Sequence, residues 1–252
     1  MSKGNSARVD IEASTGRKGV IEVWEIDLES FDSVKSFASR AKALDRLDTA
    51  IMNAGLASQQ WNLSPDGWER QIQVNVLSTA LLSLLLLPQL VRTGKMIEGA
   101  QPHLVLLGSD IHADAKFNER TAENILQELN KKDAWEKSAA GPAERYSLTK
   151  LLDLYVAIEL ARLTPMIDGK PAVIVDIPAP GFCKSDLLTR EPVAGLSIYI
   201  LKALQFLTGR TLEEGSKAIV AAAVVGPEAH GKYFDNQKIT LYVVNHSSIS
   251  VH

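Results

Sequence analysis

Cysteine is almost absent: Cys183 stands alone in 252 residues. No internal disulfide can form, so the chain suits a reducing compartment and a cytoplasmic location is expected. Cysteines and histidines nowhere cluster at ligand spacing, and no metal site is expected. An excess of one charge is also missing. With 27 basic against 30 acidic residues, the net charge is −3. That excludes an electrostatic grip on nucleic acid or an anionic membrane surface. The most apolar run, Ala80 to Leu87, is far short of the roughly 20 residues that a stable membrane span needs. Thr79 precedes it and Pro88, Gln89 and Arg92 follow, so it reads as a buried helix. Met1 to Asn5 has no apolar core behind it and is not a signal peptide. There are no repeats, no low-complexity tracts and no Pro/Gly/Ser-rich linker, which leaves a single domain over 1–252. The most telling lack is a glycine-rich strand-to-helix turn near the start, the device that cradles a dinucleotide's pyrophosphate. A nucleophile elbow is missing too: Gly108-Ser109-Asp110-Ile111 does not form G-x-S-x-G, which argues against a serine hydrolase.

What is present alternates strand with helix. Val20 to Ile26 predicts a strand ending at Asp27. Phe31, Val34, Ala38, Ala41 and Leu44 then carry helical spacing. Thr49 to Met52 is a short apolar strand stopped by Asn53-Ala54-Gly55. Ser64-Pro65 predicts a helix start, with the helix running to about Val91. His103 to Leu107 is a strand ending at Gly108-Ser109. The polar stretch 110–142 reads as an insertion with one helix near Glu119 to Lys131. A long helix is predicted over Glu144 to Leu163, then a strand over Ala172 to Ile177 broken by Pro178-Ala179-Pro180-Gly181. Leu196 to Leu207 reads as a covering helix within a substrate-covering region, 186–210. Thr211-x-x-Glu214 starts a further helix with a capping box, and Tyr233-Phe234 and Ile239 to Val244 read as terminal strands. Apolar strands alternating with amphipathic helices imply an α/β fold, a Rossmann-like doubly wound parallel sheet with helices on both faces. Ligands bind beyond the carboxyl ends of such strands. Asp27, Asn53, Ser109 and Pro180-Gly181 each follow a strand end, so one convergent site is expected.

Tyr146 and Lys150 lie four apart on the predicted helix, hence on one face. A phenol is a poor proton exchanger at neutral pH, and a nearby ammonium favours its ionised form and makes it usable. Against this, such a pair recurs by chance on helix surfaces. Ser109 could donate to a substrate carbonyl, or simply cap the next segment. Asn75, inside an apolar helix, needs partners; it could hold a water or a kink near the site, or bond to backbone at the core edge. Asn53-Ala54-Gly55 permits close approach of a flat ligand, or is a plain turn. Asp27 could accept from an adenine amino group or cap the following helix. Cys183 on its own reads as a small buried hydrophobe, and His103 and His112 as incidental.

In this order and spacing, Asp27-Leu28, Asn53-Ala54-Gly55, Asn75, Ser109, Tyr146-x-x-x-Lys150 and Pro180-Gly181-Phe182-Cys183-Lys184-Ser185 resemble the short-chain dehydrogenase/reductase family from about residue 8 to about 236. The resemblance implies an NAD(P)-dependent oxidoreductase interconverting an alcohol and a carbonyl. Tyr146 would be the proton donor, with Lys150 tuning it and holding the nicotinamide ribose. Ser109 would orient the carbonyl, and Asn75 would anchor a water relay. Asp27 and Leu28 would meet the adenine, and Asn53, Ala54 and Gly55 would lie along the cofactor. Pro180, Gly181, Cys183 and Ser185 would contact its nicotinamide end. NADP is favoured over NAD as cofactor. The implied substrate is a small apolar alcohol or ketone of the kind found in secondary metabolism, and the implied assembly a homo-oligomer.

Family members open with a strand, a glycine-rich turn, a helix and a second strand, and none of that is here. Ser6 to Gly16 resembles the end of the following helix, so the chain reads as an N-terminally shortened member. With the first two strands gone from the sheet, a hole of about 14 Å is expected beside the strand at Thr49 to Met52. Two readings therefore stand: the oxidoreductase, and a non-catalytic relative unable to hold the dinucleotide.

Overall fold

The computed structural model describes residues 2–136, 142–185, 187, 205–235 and 238–240. Helix α1 (Ser2–Thr15) buries none of its residues. Helix α2 (Phe31–Ala41) is capped by the Ser30 hydroxyl, which accepts from the Ser33 amide, and buries Val34, Ala38 and Ala41. Strand β1 (Thr49–Met52) leads, through a loop and a π-helical stretch (Ile72–Ser78), into helix α3 (Thr79–Met96) and strand β2 (His103–Leu106). Short helices α4 (Ile125–Leu129) and α5 (Lys132–Glu136) precede the long helix α6 (Pro142–Leu163). A small hairpin (Met166–Ile167 with Lys170–Pro171), strand β3 (Ile174–Ala179), helix α7 (Leu212–Ala222) and strands β4 (Lys232–Asp235) and β5 (Lys238–Thr240) complete the described chain.

The sheet runs β1-β2-β3-β4-β5. The first four strands are parallel and β5 closes antiparallel on β4. Strand β2 is buried at all four positions and β3 at all six, as strands covered on both faces must be. Alternation sorts their side chains. Leu104, Leu106, Val175 and Ile177 join Leu148, Leu151 and Leu154 of α6 and Leu86 and Leu90 of α3 in the main core. Val105 and Phe234 point the other way, onto Ala222 of α7.

Several expected elements differ. Residues 20–26 form no strand, because no strand edge lies beside them to pair with. Side-chain contacts hold the segment instead: the Arg40 guanidinium lies 3.8 Å above the Trp24 ring, and Trp24 meets Phe37 edge-on. Between this segment and β1 lies an apolar cavity of about 300 Å³, lined by Trp24, Ile26, Leu28, Ile51, Met52 and Leu82 among others. The expected hole in the sheet is thus a groove along an open edge.

Ser64-Pro65 is a turn rather than a helix start. The Ser64 hydroxyl accepts from the Trp68 amide, and the helix begins five residues later. Its cap is Glu69, whose buried carboxylate accepts from the Gln71 and Ile72 amides at 3.0 and 3.1 Å. The helical run Ile72–Met96 passes Val91 and is long and apolar enough to cross a membrane, yet 61% of its most apolar window is buried inside the fold. The single helix expected near Glu119 to Lys131 is a 3-10 turn (Asn118–Thr121) followed by α4. Strand β3 continues through Pro178 to Ala179, since Pro178 still accepts a bond from the Gly108 amide through its carbonyl. The Thr211/Glu214 capping box forms as expected. Most of the expected covering helix at Leu196 to Leu207, and residues 241–244 of the last expected strand, fall outside the described residues.

Candidate active site

Helix α6 lies across the carboxyl end of β2. The Lys150 ammonium donates to the Leu107 carbonyl at 2.9 Å, one residue past β2. It also donates to Asp153 Oδ2 at 3.0 Å. Its nitrogen stands 6.0 Å from the centre of the Tyr146 ring. Lys150 and Asp153 are buried, whereas Tyr146 is only partly so. Phenol and ammonium therefore share the face of α6 that looks onto the end of β2, and Ser109 is two residues further along that same strand end. Ser109 is extended and partly exposed. Its carbonyl is engaged by His112, whose Nδ1 lies 2.7 Å away. The His112 ring packs edge-on against Tyr233, so this histidine fixes the turn after Ser109.

Asn75 sits in the π-helical stretch, fully buried. The Leu56 amide donates to its Oδ1 at 2.9 Å, and its Nδ2 donates to the Leu56 carbonyl at 2.8 Å and to Thr149 Oγ1 at 3.0 Å. Both amide protons are thus taken. Asn75 ties the loop after β1 to α6, and its contacts are with Thr149 rather than Lys150. Gly55 lies under it: a Cβ there would meet Asn75 Oδ1 at 3.3 Å. Asn53 and Ala54, by contrast, line the apolar groove.

Asp27 accepts at Oδ1 from the Glu29 amide, and its own amide donates to Ser33 Oγ. This is a local turn ahead of the helix rather than the helix cap weighed from the sequence, because the Ser30 hydroxyl takes that place. The Leu28 carbonyl accepts from Ser78 Oγ at 2.6 Å. The Pro180–Ser185 turn follows β3. Gly181 adopts φ +73, a left-handed conformation, with the Arg210 guanidinium so close that a Cβ would meet it at 3.1 Å. Gln205 Nε2 donates to the Cys183 and Ser185 carbonyls at 3.1 and 2.8 Å. Cys183 Sγ lies where a Cβ on Gly215 would have to go. The sequence reading missed Gln205 and Asp153, because neither residue type advertises a role until the fold brings its partners to it.

Electrostatics set the proton inventory. Burial pushes the Tyr146 phenol above its ordinary range, with Lys150 opposing and Asp153 adding to the rise. Burial works against the Lys150 ammonium, but Asp153 and Tyr146 outweigh it and hold the lysine charged. Burial lifts Asp153 to about 6 against the pull of Lys150. The arrangement can hold a phenol proton beside a fixed positive charge at the mouth of the sheet.

Tyr146 and Lys150 carry donors of the kind that would hold a nicotinamide ribose. The space beside Gly55 and Gly181 is taken by Asn75 Oδ1 and the Arg210 guanidinium, which a Cβ would meet at 3.3 and 3.1 Å. At the diphosphate end, the described residues include no glycine turn opening a helix at a strand's carboxyl end.

The short chain dehydrogenase family pattern matches residues 2–109. The short chain dehydrogenase atnD of Emericella nidulans is 39% identical over 246 residues, which are 96% of this chain and 75% of that protein. The short-chain dehydrogenase anuD of Penicillium roqueforti is 35% identical over 94% of this chain and 60% of its own length. Among solved structures, the NADPH-bound carbonyl reductase from chicken fatty liver shares the fold at a TM-score of 0.61, with 16% identity over 94% of this chain and 80% of that one. On these likenesses and this geometry, the chain belongs to the short-chain dehydrogenase family.

Proposed function

We propose that this chain is an NAD(P)-dependent oxidoreductase interconverting an alcohol and a carbonyl on a small apolar molecule. The observation that carries the reading is the placement of Tyr146 and Lys150 on one face of α6, with Lys150 fastened to the Leu107 carbonyl beside Ser109. When bound, the nicotinamide would supply or accept the hydride at the carbon. The rest is done by the chain. Ser109 donates a hydrogen bond to the substrate oxygen and orients it. In reduction, Tyr146 gives its proton to that oxygen; in oxidation, it takes it back. Lys150 stabilises the phenolate left behind. Asn75 fixes Gly55 and Thr149, and so the spacing between the β1 loop and α6. Asn53, Ala54, Gly55, Pro180, Gly181, Cys183 and Ser185 line the cofactor, with Asp27 and Leu28 at its adenine end. The exposed Phe206 and Leu207, joined to the Pro180–Ser185 turn by Gln205, support an apolar substrate. NADP is the cofactor favoured.

A second reading has its own observation. Without a diphosphate cradle among the described residues, the chain would be a non-catalytic relative. Calorimetric titration of the purified chain with NADPH and NADH separates the two. Binding tighter than millimolar supports the oxidoreductase, whereas no heat at millimolar cofactor defeats it for this chain and leaves the second reading.

A further inference from the structure

We propose that Asp153 is the positioning residue of this site: it clamps the Lys150 ammonium against the Leu107 carbonyl and so keeps Tyr146 resting as the neutral, proton-donating phenol. The proposal deepens the proton-transfer role given above to Tyr146 and Lys150 and rests on it.

The geometry is that of a buried clamp. Asp153 stands three residues beyond Lys150 on α6, so the two side chains meet on one face. Asp153 is 3% exposed and Lys150 8%. The ammonium is fixed from two sides, by Asp153 Oδ2 at 3.0 Å and the Leu107 carbonyl at 2.9 Å. No hydrogen bond joins Lys150 to the Tyr146 hydroxyl, and the ammonium stays 6.0 Å from the ring centre. The carboxylate therefore offsets part of the positive charge that the phenol feels.

A purely structural pair would be an odd choice here. Burying two charges costs roughly as much as their attraction returns, and apolar residues of similar size often stabilise better. Asp153 also leaves Oδ1 buried without a hydrogen-bond partner, a further cost that packing does not explain. The expense is accounted for if the carboxylate sets the charge balance of the lysine.

Other charged groups around α6 are already engaged. Asp110, on the turn packed against α6, accepts from Tyr233 Oη at 2.6 Å. His112 is held by the Ser109 carbonyl. Arg145 faces Glu69 at 3.9 Å on the first turns of the helix. Asp114 belongs to the His112 turn, and the π-helical stretch contributes only the neutral Asn75. His103 and Asp176 alternate with the residues that face α6 and so lie on the sheet's other side. Asp153 is thus the carboxylate that competes with Tyr146 for Lys150. Its own tendency to protonate near pH 6 means the clamp is present at neutral pH and released in acid.

The test is a pH titration of the whole chain labelled with ¹³C at the tyrosine ζ-carbon, followed by NMR. Tyr146→Phe assigns the Tyr146 signal. In Asp153→Asn, Tyr146 ionises about one pH unit lower than in the wild type, and Asp153→Glu moves it back up. If Asp153→Asn does not fold, Asp153→Leu, which leaves no unpaired carboxamide, reads the same downward shift. A Tyr146 midpoint that stays put or rises in the folded variant overturns the proposal. The titration needs neither cofactor nor substrate, so its outcome is separate from that of any turnover assay.

Discussion

Replacing Asn75 with alanine removes one of the few polar links between the two halves of the site. The side chain makes three hydrogen bonds: two with the Leu56 backbone and one with Thr149 Oγ1. Each typical hydrogen bond contributes about 1 kcal/mol net, and a buried partner left unmet costs about 1–3 kcal/mol. Thr149 keeps its own bond to the Tyr146 carbonyl at 2.8 Å, so its hydroxyl proton is not orphaned. Leu56 is half-buried, and water can recover part of its loss. The sum is a destabilisation of about 2–3 kcal/mol. Equilibrium urea unfolding followed by circular dichroism would show the midpoint fall with the slope unchanged. Native-state hydrogen exchange would show the Leu56 amide losing protection. A loss below about 0.5 kcal/mol, the ordinary range of neutral surface changes, with Leu56 protection intact, would refute the claim that Asn75 ties the β1 loop to α6.

Asp176 is fully buried between strands, 3.6 Å from the His103 ring, and neither of its oxygens finds a hydrogen-bond partner. Burial raises its pKa from 3.8 to about 6. Between those values the folded chain binds this proton more tightly than the unfolded chain, so the group's contribution is most favourable below about pH 4 and is lost as pH rises through about 6. Asp176→Asn is accordingly expected to stabilise the protein at neutral pH, by up to about 3 kcal/mol, with the gain vanishing toward pH 4; denaturant unfolding across that range checks it. The His103 and Leu107 amides donate to the Asp48 and Met52 carbonyls, and in this parallel register the Thr49 and Ile51 amides turn away from β2; Ile51 is 41% exposed beside the apolar groove. Such an edge invites intermolecular pairing. Ile51→Lys is expected to lower concentration-dependent association in light scattering without lowering the unfolding midpoint by more than about 0.5 kcal/mol.

The strands at His103–Leu106 and Ile174–Ala179 were legible because fully buried strands are near-continuous apolar runs, and the edge strand Thr49–Met52 because its short apolar run is stopped by Asn53-Ala54-Gly55. So was α6, and with it the Tyr146/Lys150 pair, because helix period alone puts those two on one face. The strand expected at Val20 to Ile26 has the right residues but no neighbour, and pairing is a property of the sheet that one segment cannot report. Ser64-Pro65 has the chemistry of a helix start, yet Glu69 wins because a buried carboxylate satisfies two amides at once. Asp27 shows the same limit: either Asp27 or Ser30 could cap the helix by residue type, and only the fold gives the cap to Ser30 and leaves Asp27 bonded to the Glu29 amide. Asp153 was invisible because its role depends on how Lys150 is held, and the Leu107 carbonyl that fixes the ammonium from the other side arrives from 43 residues away.

The central claim is that the Tyr146 hydroxyl is the proton carrier of the site. Reduction of small apolar ketones by the chain, followed as NADPH consumption, tests it when wild type and Tyr146→Phe are run side by side at equal folded concentration. The account predicts turnover by the wild type and a loss of at least about a hundredfold in the variant, whose unfolding midpoint stays close to wild type. Equal turnover by the two proteins would contradict it.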